Sequence, residues 1–487
     1  MSLIRLPQAD AQVVGRRDQI LSGLNRALRS GVVVSDEAGL RAFETDALTA
    51  YRAPPLAAVL PRTTEEVSRV LKFCSDNKVK VVARGAGTSL SGGALPSGDA
   101  VVIGLSRMNR ILDVNFHDRT ATVEAGITNL GISNAVAKAG FFYAPDPSSQ
   151  LACTIGGNIA MNSGGAHCLK YGVTTNNLLK VKVVLMNGEV VELGGDYLDS
   201  QGYDLLGLAI GSEGQFGIVT EATVRILRQA EGARPMLIGF SSAGDAGACV
   251  AAIVADGLVP VAVEFMDKPA IHVCENFAKA GYPMDVEAML IVEVEGSPAE
   301  IEDQIGRVTE IASRYDPMTL RVSQSEQEAA AIWKGRKSAF GAIGRISDYY
   351  CMDGVIPLGK LPDVLKQVEE VARKYNLKVA NIFHAGDGNL HPLILYNAND
   401  EREKAIAEEC GADILKLCVD AGGCLTGEHG VGIEKRELMR YQYTEADLIQ
   451  QMRVKAAFDP GWLLNYGKVF PLDLQERFAA EAAESHD

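Results

Sequence analysis

His384 and His391 bracket the run His384-Ala-Gly-Asp-Gly-Asn-Leu-His391, and Gly427-Glu428-His429-Gly430 follows later in the chain. Asp387-Gly388 at the centre of the first run reads as a two-residue type I′ hairpin turn, because both central positions of that turn need positive φ. Counting outward from it pairs His384 with His391. Directly paired strand residues keep their Cβ atoms roughly 4.5–5.5 Å apart on one face, close enough for two imidazoles to hold one divalent metal ion. Glu428 is offered as a third ligand. Three of the seven histidines of the chain fall in these two motifs beside a carboxylate and flanking glycines, which favours a metal site over two isolated structural histidines. Zinc, manganese or iron suits such a nitrogen and oxygen set. Glu428 and His429 are adjacent, so in extended backbone their side chains diverge, one toward a metal and the other toward a substrate.

The elements that must position these groups are legible in outline. Val379–Phe383 (379–383) reads as the strand leading into the histidine run, and 289–295 as another strand; amphipathic helices are expected over 243–255, 298–314 and 361–375. This half of the chain, 230–440, is expected to form an antiparallel sheet with helices on one face, a cap carrying the metal and substrate groups. Before it, a helical lead-in over 1–53 precedes a strand at 57–60. A helix opened by Thr63 with Glu66 as a capping box, its inner face Val67, Val70, Leu71 and Cys74, and a strand at 79–83 come next.

That strand runs into Arg84-Gly85-Ala86-Gly87-Thr88-Ser89 and on to Gly93, whose small residues expose successive backbone N–H groups able to wrap a pyrophosphate. Leu90 stands where a dinucleotide fingerprint needs its third glycine, and more loop follows in place of a helix, which argues against a Rossmann site. Further blocks come at Pro145-Asp146-Pro147, at Thr154-Ile155-Gly156-Gly157-Asn158, at Asn162-Ser163-Gly164-Gly165, at Tyr171-Gly172, and at Gly211-Ser-Glu213-Gly214 through Gly217-Ile218-Val219. One such block would be turns; several point to backbone packed against a large flat cofactor. Together they resemble the FAD domain of the vanillyl-alcohol oxidase/PCMH flavoproteins over about 54–229. The resemblance implies that the 84–93 loop holds the pyrophosphate and that the later blocks surround the isoalloxazine and adenosine. Relatives with flavin bound covalently on this loop carry histidine where Thr88 stands, so non-covalent FAD is expected. Asn465, in Trp462-Leu-Leu-Asn-Tyr-Gly-Lys-Val-Phe470, resembles the Asn of the terminal Asn-Pro-Gly-Lys segment of the family. It implies that 441–487 returns to the FAD domain, with Tyr466 in place of the proline. The expected fold class is thus α+β: a PCMH-type FAD domain, an α+β cap and a returning terminal segment.

Trp333-Lys-Gly-Arg336, Asp348–Asp353 (348–353), His384–His391 (384–391) and Gly427–Gly430 (427–430) are similar to motifs of the FAD-linked glycolate, D-lactate and D-2-hydroxyglutarate dehydrogenases. The resemblance implies His384, His391 and Glu428 as ligands of a divalent metal, His429 as the base, and Arg336 as the group that holds the substrate carboxylate. Spacing alone leaves Arg336 equally well explained as one of a solvated helical row with Lys334 and Lys337. Cys351 and Leu393 stand where the hydroxyglutarate branch has a lysine and an asparagine for the second substrate carboxylate. A small 2-hydroxy acid, glycolate or D-lactate, is therefore expected, with D-2-hydroxyglutarate as the alternative. The residue types suit the chemistry: a metal on the hydroxyl oxygen lowers its pKa, and a neutral histidine takes the proton as hydride leaves the adjacent carbon.

With 487 residues, 47% of them apolar, a multidomain globular protein is expected. A net charge of −15 without basic runs argues against nucleic acid or anionic lipid. Nine cysteines without a C-x-x-C pair suit reduced thiols in the cytoplasm, and no apolar run is long enough to cross a membrane, so the chain is expected to be cytoplasmic or at most peripheral to the inner face. The same lack of a cysteine cluster means that electrons leaving FAD need another acceptor; the resemblance implies a second flavin subunit and an iron–sulfur subunit. A non-catalytic flavin-binding subunit and a peroxide-producing oxidase stay open as other readings. His167 could reach the flavin, whereas His117, His272 and His486 read as structural or exposed.

Overall fold

The structure, a computed structural model, describes residues 4–197 and 202–484. Thr63 accepts from the Glu66 N–H at 3.2 Å and opens the helix Thr64–Asp76, whose Val67, Val70, Leu71 and Cys74 are all fully buried. That spacing of apolar residues is what a helix needs to bury one stripe. The other half of the expected capping box does not form. The Glu66 carboxylate turns instead to the preceding loop, accepting from the N–H groups of Arg62 and Arg29 at 2.9 Å and of Ser30 at 2.6 Å, and from the Ser30 hydroxyl. Burial acts to raise its pKa, but these donors outweigh it and bring the group down to about 2. A carboxylate whose folded pKa lies below its unfolded value stabilises the fold at higher pH and loses that contribution as pH falls. Glu66→Gln is therefore expected to lower Tm at pH 7 and to flatten the acid limb of stability between about pH 4.5 and 2, a change on the order of 3 kcal/mol. Thermal melts across that range check it.

Chain contacts divide the protein into two units, one of Ile4–Ser163, Val173–Arg228 and the chain from Glu428 onward, the other of Gly164–Gly172 and Gln229–Gly427. The first holds a four-stranded sheet in the order Val32–Val34, Ala57–Leu60, Ala100–Gly104, Lys80–Arg84, with the last three parallel. A five-stranded antiparallel sheet accompanies it, in the order Ile111–Asn115, Thr120–Glu124, Ile218–Arg225, Leu178–Val184, Val190–Gly194. The terminal segment joins the edge of the first sheet, where Val81 N–H donates to Leu463 O and Asn465 N–H to Val81 O, both at 2.8 Å. In place of the family proline, Tyr466 lies under the Lys80 amine, 4.4 Å from the ring centre.

The second unit is built on a nine-stranded antiparallel sheet. Its centre runs Gly232–Phe240, Ala288–Gly296, Ala262–Asp267, Lys378–His384, and Pro392–Tyr396 pairs with Lys378–His384 on one side and Asp348–Cys351 on the other. The expected helices appear as Ala243–Ala255, Pro298–Ser313 and Leu361–Lys374. Residues 288–294 are buried without alternation, and Phe265 stacked on Phe383 is as buried as Glu264 next to it. A strand buried on both sides loses the period-two pattern of a one-sided sheet.

Candidate active site

The histidine hairpin differs from the expected turn. His384 pairs with Asn389, not with His391, and Gly388 alone of the four connecting residues has positive φ, at +77°. Two bonds fix this longer turn: Gly386 N–H donates to Val263 O at 3.1 Å, and the Asp387 carboxylate accepts from Asn389 N–H at 3.1 Å. A side chain at Gly388 would meet Ile356 O at 2.3 Å, so glycine is needed there on two counts. Since Asn381 pairs with Pro392 in the same register, His391 lies opposite Ile382, diagonal to His384 on one face. Diagonal neighbours are within reach of long side chains. The two imidazoles meet edge to face with centroids 5.3 Å apart, and a ring nitrogen of each lies within 4.8 Å of the other.

Each ring is turned by a bond at Nδ1. His384 Nδ1 lies 2.8 Å from Glu264 Oε1, and His391 Nδ1 3.2 Å from Met352 O, with Asp353 Oδ1 at 3.9 Å. A ring that donates from Nδ1 presents its lone pair at Nε2, the tautomer a metal ligand requires. His384 and His391 are 5% and 1% exposed, so this is a buried nitrogen donor set that fits a divalent ion. Asp353 also accepts from Gly427 N–H at 3.0 Å, which pins the chain one residue before Glu428.

Arg336, near the end of the helix Glu326–Lys337, is buried, and its Nη2 lies 2.6 Å from Glu264 Oε2. The solvated row of Lys334, Arg336 and Lys337 is thereby excluded for Arg336. The contact is an ion pair without hydrogen-bond geometry, since Arg336 Nε and Nη2 and Glu264 Oε2 are all buried and make no hydrogen bond. Burial acts to raise the pKa of Glu264, but the Arg336 charge and the His384 bond hold it below the ordinary carboxylate value. Glu264 was absent from the sequence reading; the visible signal is one charged residue inside the apolar run Val261-Ala-Val-Glu-Phe-Met266. Glu293 repeats the pattern, accepting from Trp333 Nε1 at 2.7 Å and lying 3.3 Å from His167 Nε2. His167 is thus held by Glu293 and against Trp333, while His272 Nε2 lies 2.9 Å from Met284 O and His117 is exposed; His486 lies outside the described residues.

In the other unit the glycine blocks converge. Among the described residues, the N–H groups of Gly85, Ala86, Gly87 and Thr88 donate to no protein acceptor, which fits a loop left open to an anionic ligand. A side chain at Gly85 would meet Thr154 Oγ1 at 2.3 Å. Thr154 caps the short helix Ile155–Met161, which the sequence reading missed because two glycines fill its first turn. Gly156 belongs there because its Cα faces Ala125, whose carbonyl a Cβ would approach to 3.0 Å. Asn158 Oδ1 accepts from Asn129, which also donates to Pro145 O, beside Asp146. Gly211 N–H donates to Ile159 O and Glu213 N–H to Ala160 O, while Asn465 bridges Ala83 N–H and Glu213 O. Gly217 leads into the strand carrying Ile218 and Val219, and Ser163 O accepts from Thr174 N–H. Lys468, also missed, is buried and donates to Gly93 O at 2.6 Å; burial lowers its amine to about 7 against the pull of Asp46 and Glu213. Glu428 and His429 start the returning segment of this unit, where Ser91 Oγ donates to His429 O at 2.9 Å. Gly164, Gly165 and Tyr171 belong to the sheet unit, where the Tyr171 hydroxyl donates to Glu295.

Residues 55–194 match the model of an FAD binding domain and residues 230–469 that of the C-terminal domain of FAD linked oxidases. Glycolate oxidase subunit GlcD of Escherichia coli (strain K12) is 47% identical over 93% of this chain and 91% of its own length. The chain belongs to the FAD-linked oxidases. This FAD-linked oxidase is also 37% identical to glycolate oxidase subunit GlcD of Bacillus subtilis (strain 168), over 91% of the chain and 95% of the relative. Against D-lactate dehydrogenase of Archaeoglobus fulgidus it is 33% identical over 88% and 94%. D-2-hydroxyglutarate dehydrogenase of Stutzerimonas stutzeri is more distant, at 28% over 93% and 98%. Among solved structures, 4-ethylphenol oxidase from Gulosibacter chungangensis superposes with a TM-score of 0.80 at 16% identity, over 96% of the chain and all of the neighbour, which shows the shared fold. The oxidase is thus an FAD-dependent oxidoreductase of the expected α+β class, and no helix among its described residues is long and apolar enough to cross a membrane.

Proposed function

We propose that this oxidase converts a small 2-hydroxy acid, glycolate or D-lactate, to the 2-oxo acid with non-covalent FAD and a divalent metal ion held by His384, His391 and Glu428. The observation that carries the reading is the pair of buried imidazoles, both bonded at Nδ1 and both on one face of the sheet. When bound, the metal supplies a Lewis acid for the hydroxyl oxygen and FAD supplies the hydride acceptor. The residues of the chain do the rest. Arg336 binds the carboxylate through donors that Glu264 does not occupy, and a guanidinium does this with two parallel bonds that fix which hydrogen faces the flavin. His429 takes the hydroxyl proton at a ring nitrogen. The paired imidazoles have no use in a subunit that only carries flavin.

The small substrate is supported by Cys351 and Leu393, which pair directly across neighbouring strands and are both buried, Cys351 within 4.8 Å of a ring nitrogen of His391. This wall offers a second carboxylate no cation. Steady-state rates with an artificial acceptor test it: glycolate or D-lactate should exceed D-2-hydroxyglutarate by about 10²-fold or more in kcat/KM, since a desolvated unpaired charge costs several kcal/mol. Equal rates would remove the assignment. Electrons then pass to partner subunits, a second flavin subunit and an iron–sulfur subunit; that two relatives are named as subunits of a glycolate oxidase supports partner subunits as such.

A further inference from the structure

We infer that Glu264 is the positioning residue of this site, one carboxylate that sets both the tautomer of the metal-binding His384 and the placement of the substrate-binding Arg336. The inference rests on the reading of His384 and Arg336 given above. Glu264 is fully buried and sits directly opposite His384 in the antiparallel ladder. Its two oxygens are divided: Oε1 lies 2.8 Å from His384 Nδ1, and Oε2 lies 2.6 Å from Arg336 Nη2. Among the described residues these are its only polar partners.

The division of labour follows from the chemistry of the group. An ionised carboxylate accepts at both oxygens and donates at neither. Accepting from His384 keeps the ring proton on Nδ1 and the lone pair on Nε2; the charge of Oε2, ion-paired with Arg336 Nη2, holds the guanidinium in place and leaves its Nε and Nη2, which make no hydrogen bond, for a ligand. Neither a glutamine nor any neutral side chain can serve both partners, because an amide has one acceptor oxygen for His384 and no charge for the guanidinium. The helix that carries Arg336 is held in register by a second glutamate. Glu264 lies opposite Ile291, so Glu293 is its diagonal neighbour on the same face, and it accepts from Trp333, one turn before Arg336.

The test uses full-length protein with FAD bound. Glu264→Gln should keep its FAD content, bind zinc or manganese 10–100-fold more weakly in competition with a chromophoric chelator, as loss of a carboxylate behind a metal-bound histidine does, and raise KM for glycolate. Glu264→Asp, which keeps both acceptors, should restore metal affinity toward the native value. Native metal affinity and native KM in Glu264→Gln overturn the inference. Should Glu264→Gln lose its flavin, 15N spectra of histidine in metal-free native protein decide, with His384 assigned by its loss in His384→Gln: a proton on Nδ1 supports the inference and a proton on Nε2 overturns it. A native chain that binds neither metal removes the reading of the whole site, an outcome distinct from a metal-binding chain indifferent to Glu264.

Discussion

His429→Ala is expected to lower kcat by about 10²–10⁴-fold while FAD and metal content stay at the native level, because loss of a general base removes proton transfer and nothing else. The segment that carries His429 is anchored by its backbone. Its backbone carbonyl accepts from Ser91 Oγ, and the next turns are held by Glu213, which accepts from Val431 and Gly432 N–H groups at 2.6 and 2.7 Å. These bonds hold the loop through its backbone. Metal analysis, flavin absorbance and steady-state rates on one preparation check the separation, and a variant with near-native turnover at neutral pH contradicts the role.

His391→Ala separates the metal from the flavin. It should lose bound divalent ion and turnover together, with activity down by 10³-fold or more, on the scale that several kcal/mol of Lewis-acid stabilisation provides. The FAD spectrum should be unchanged, since the glycine blocks of the 4–163 and 173–228 segments are in the other unit. A chelator should do the same to the native protein, and added zinc or manganese should reverse it in the native protein alone. Deleting His391 also removes a ring packed at 1% exposure, so a loss of stability of about 1–3 kcal/mol is expected beside the loss of metal.

The histidine pair was legible in the sequence through an error that cancels. A two-residue turn puts His384 against His391; the four-residue turn puts it against Asn389, a slip of two positions. Side chains alternate with period two, so a slip of one would have sent the imidazoles to opposite faces, whereas a slip of two keeps them together. The turn itself was misread because Asp387 spends its side chain on Asn389 and keeps ordinary φ. The glycine blocks were legible for a firmer reason: Gly85, Gly156 and Gly214 each face an atom that a Cβ would strike, so no other residue fits. What spacing left open was Arg336. Its neighbours Lys334 and Lys337 suggest a solvated helix, and only the tertiary pairing with Glu264, 72 positions earlier, shows it buried. Long-range ion pairs leave no periodic trace, which is also why Glu293 and Lys468 were missed.

The most direct measurement of the central claim is anaerobic mixing of the purified protein with glycolate or D-lactate while flavin absorbance near 450 nm is followed, with and without prior removal of metal. The account predicts that one of these acids bleaches the flavin in metal-loaded protein, that chelator-treated protein stays yellow, and that admitting air to the bleached protein restores the colour only slowly without an added acceptor. Bleaching that is equally fast in metal-free protein, or no bleaching by either acid, contradicts it.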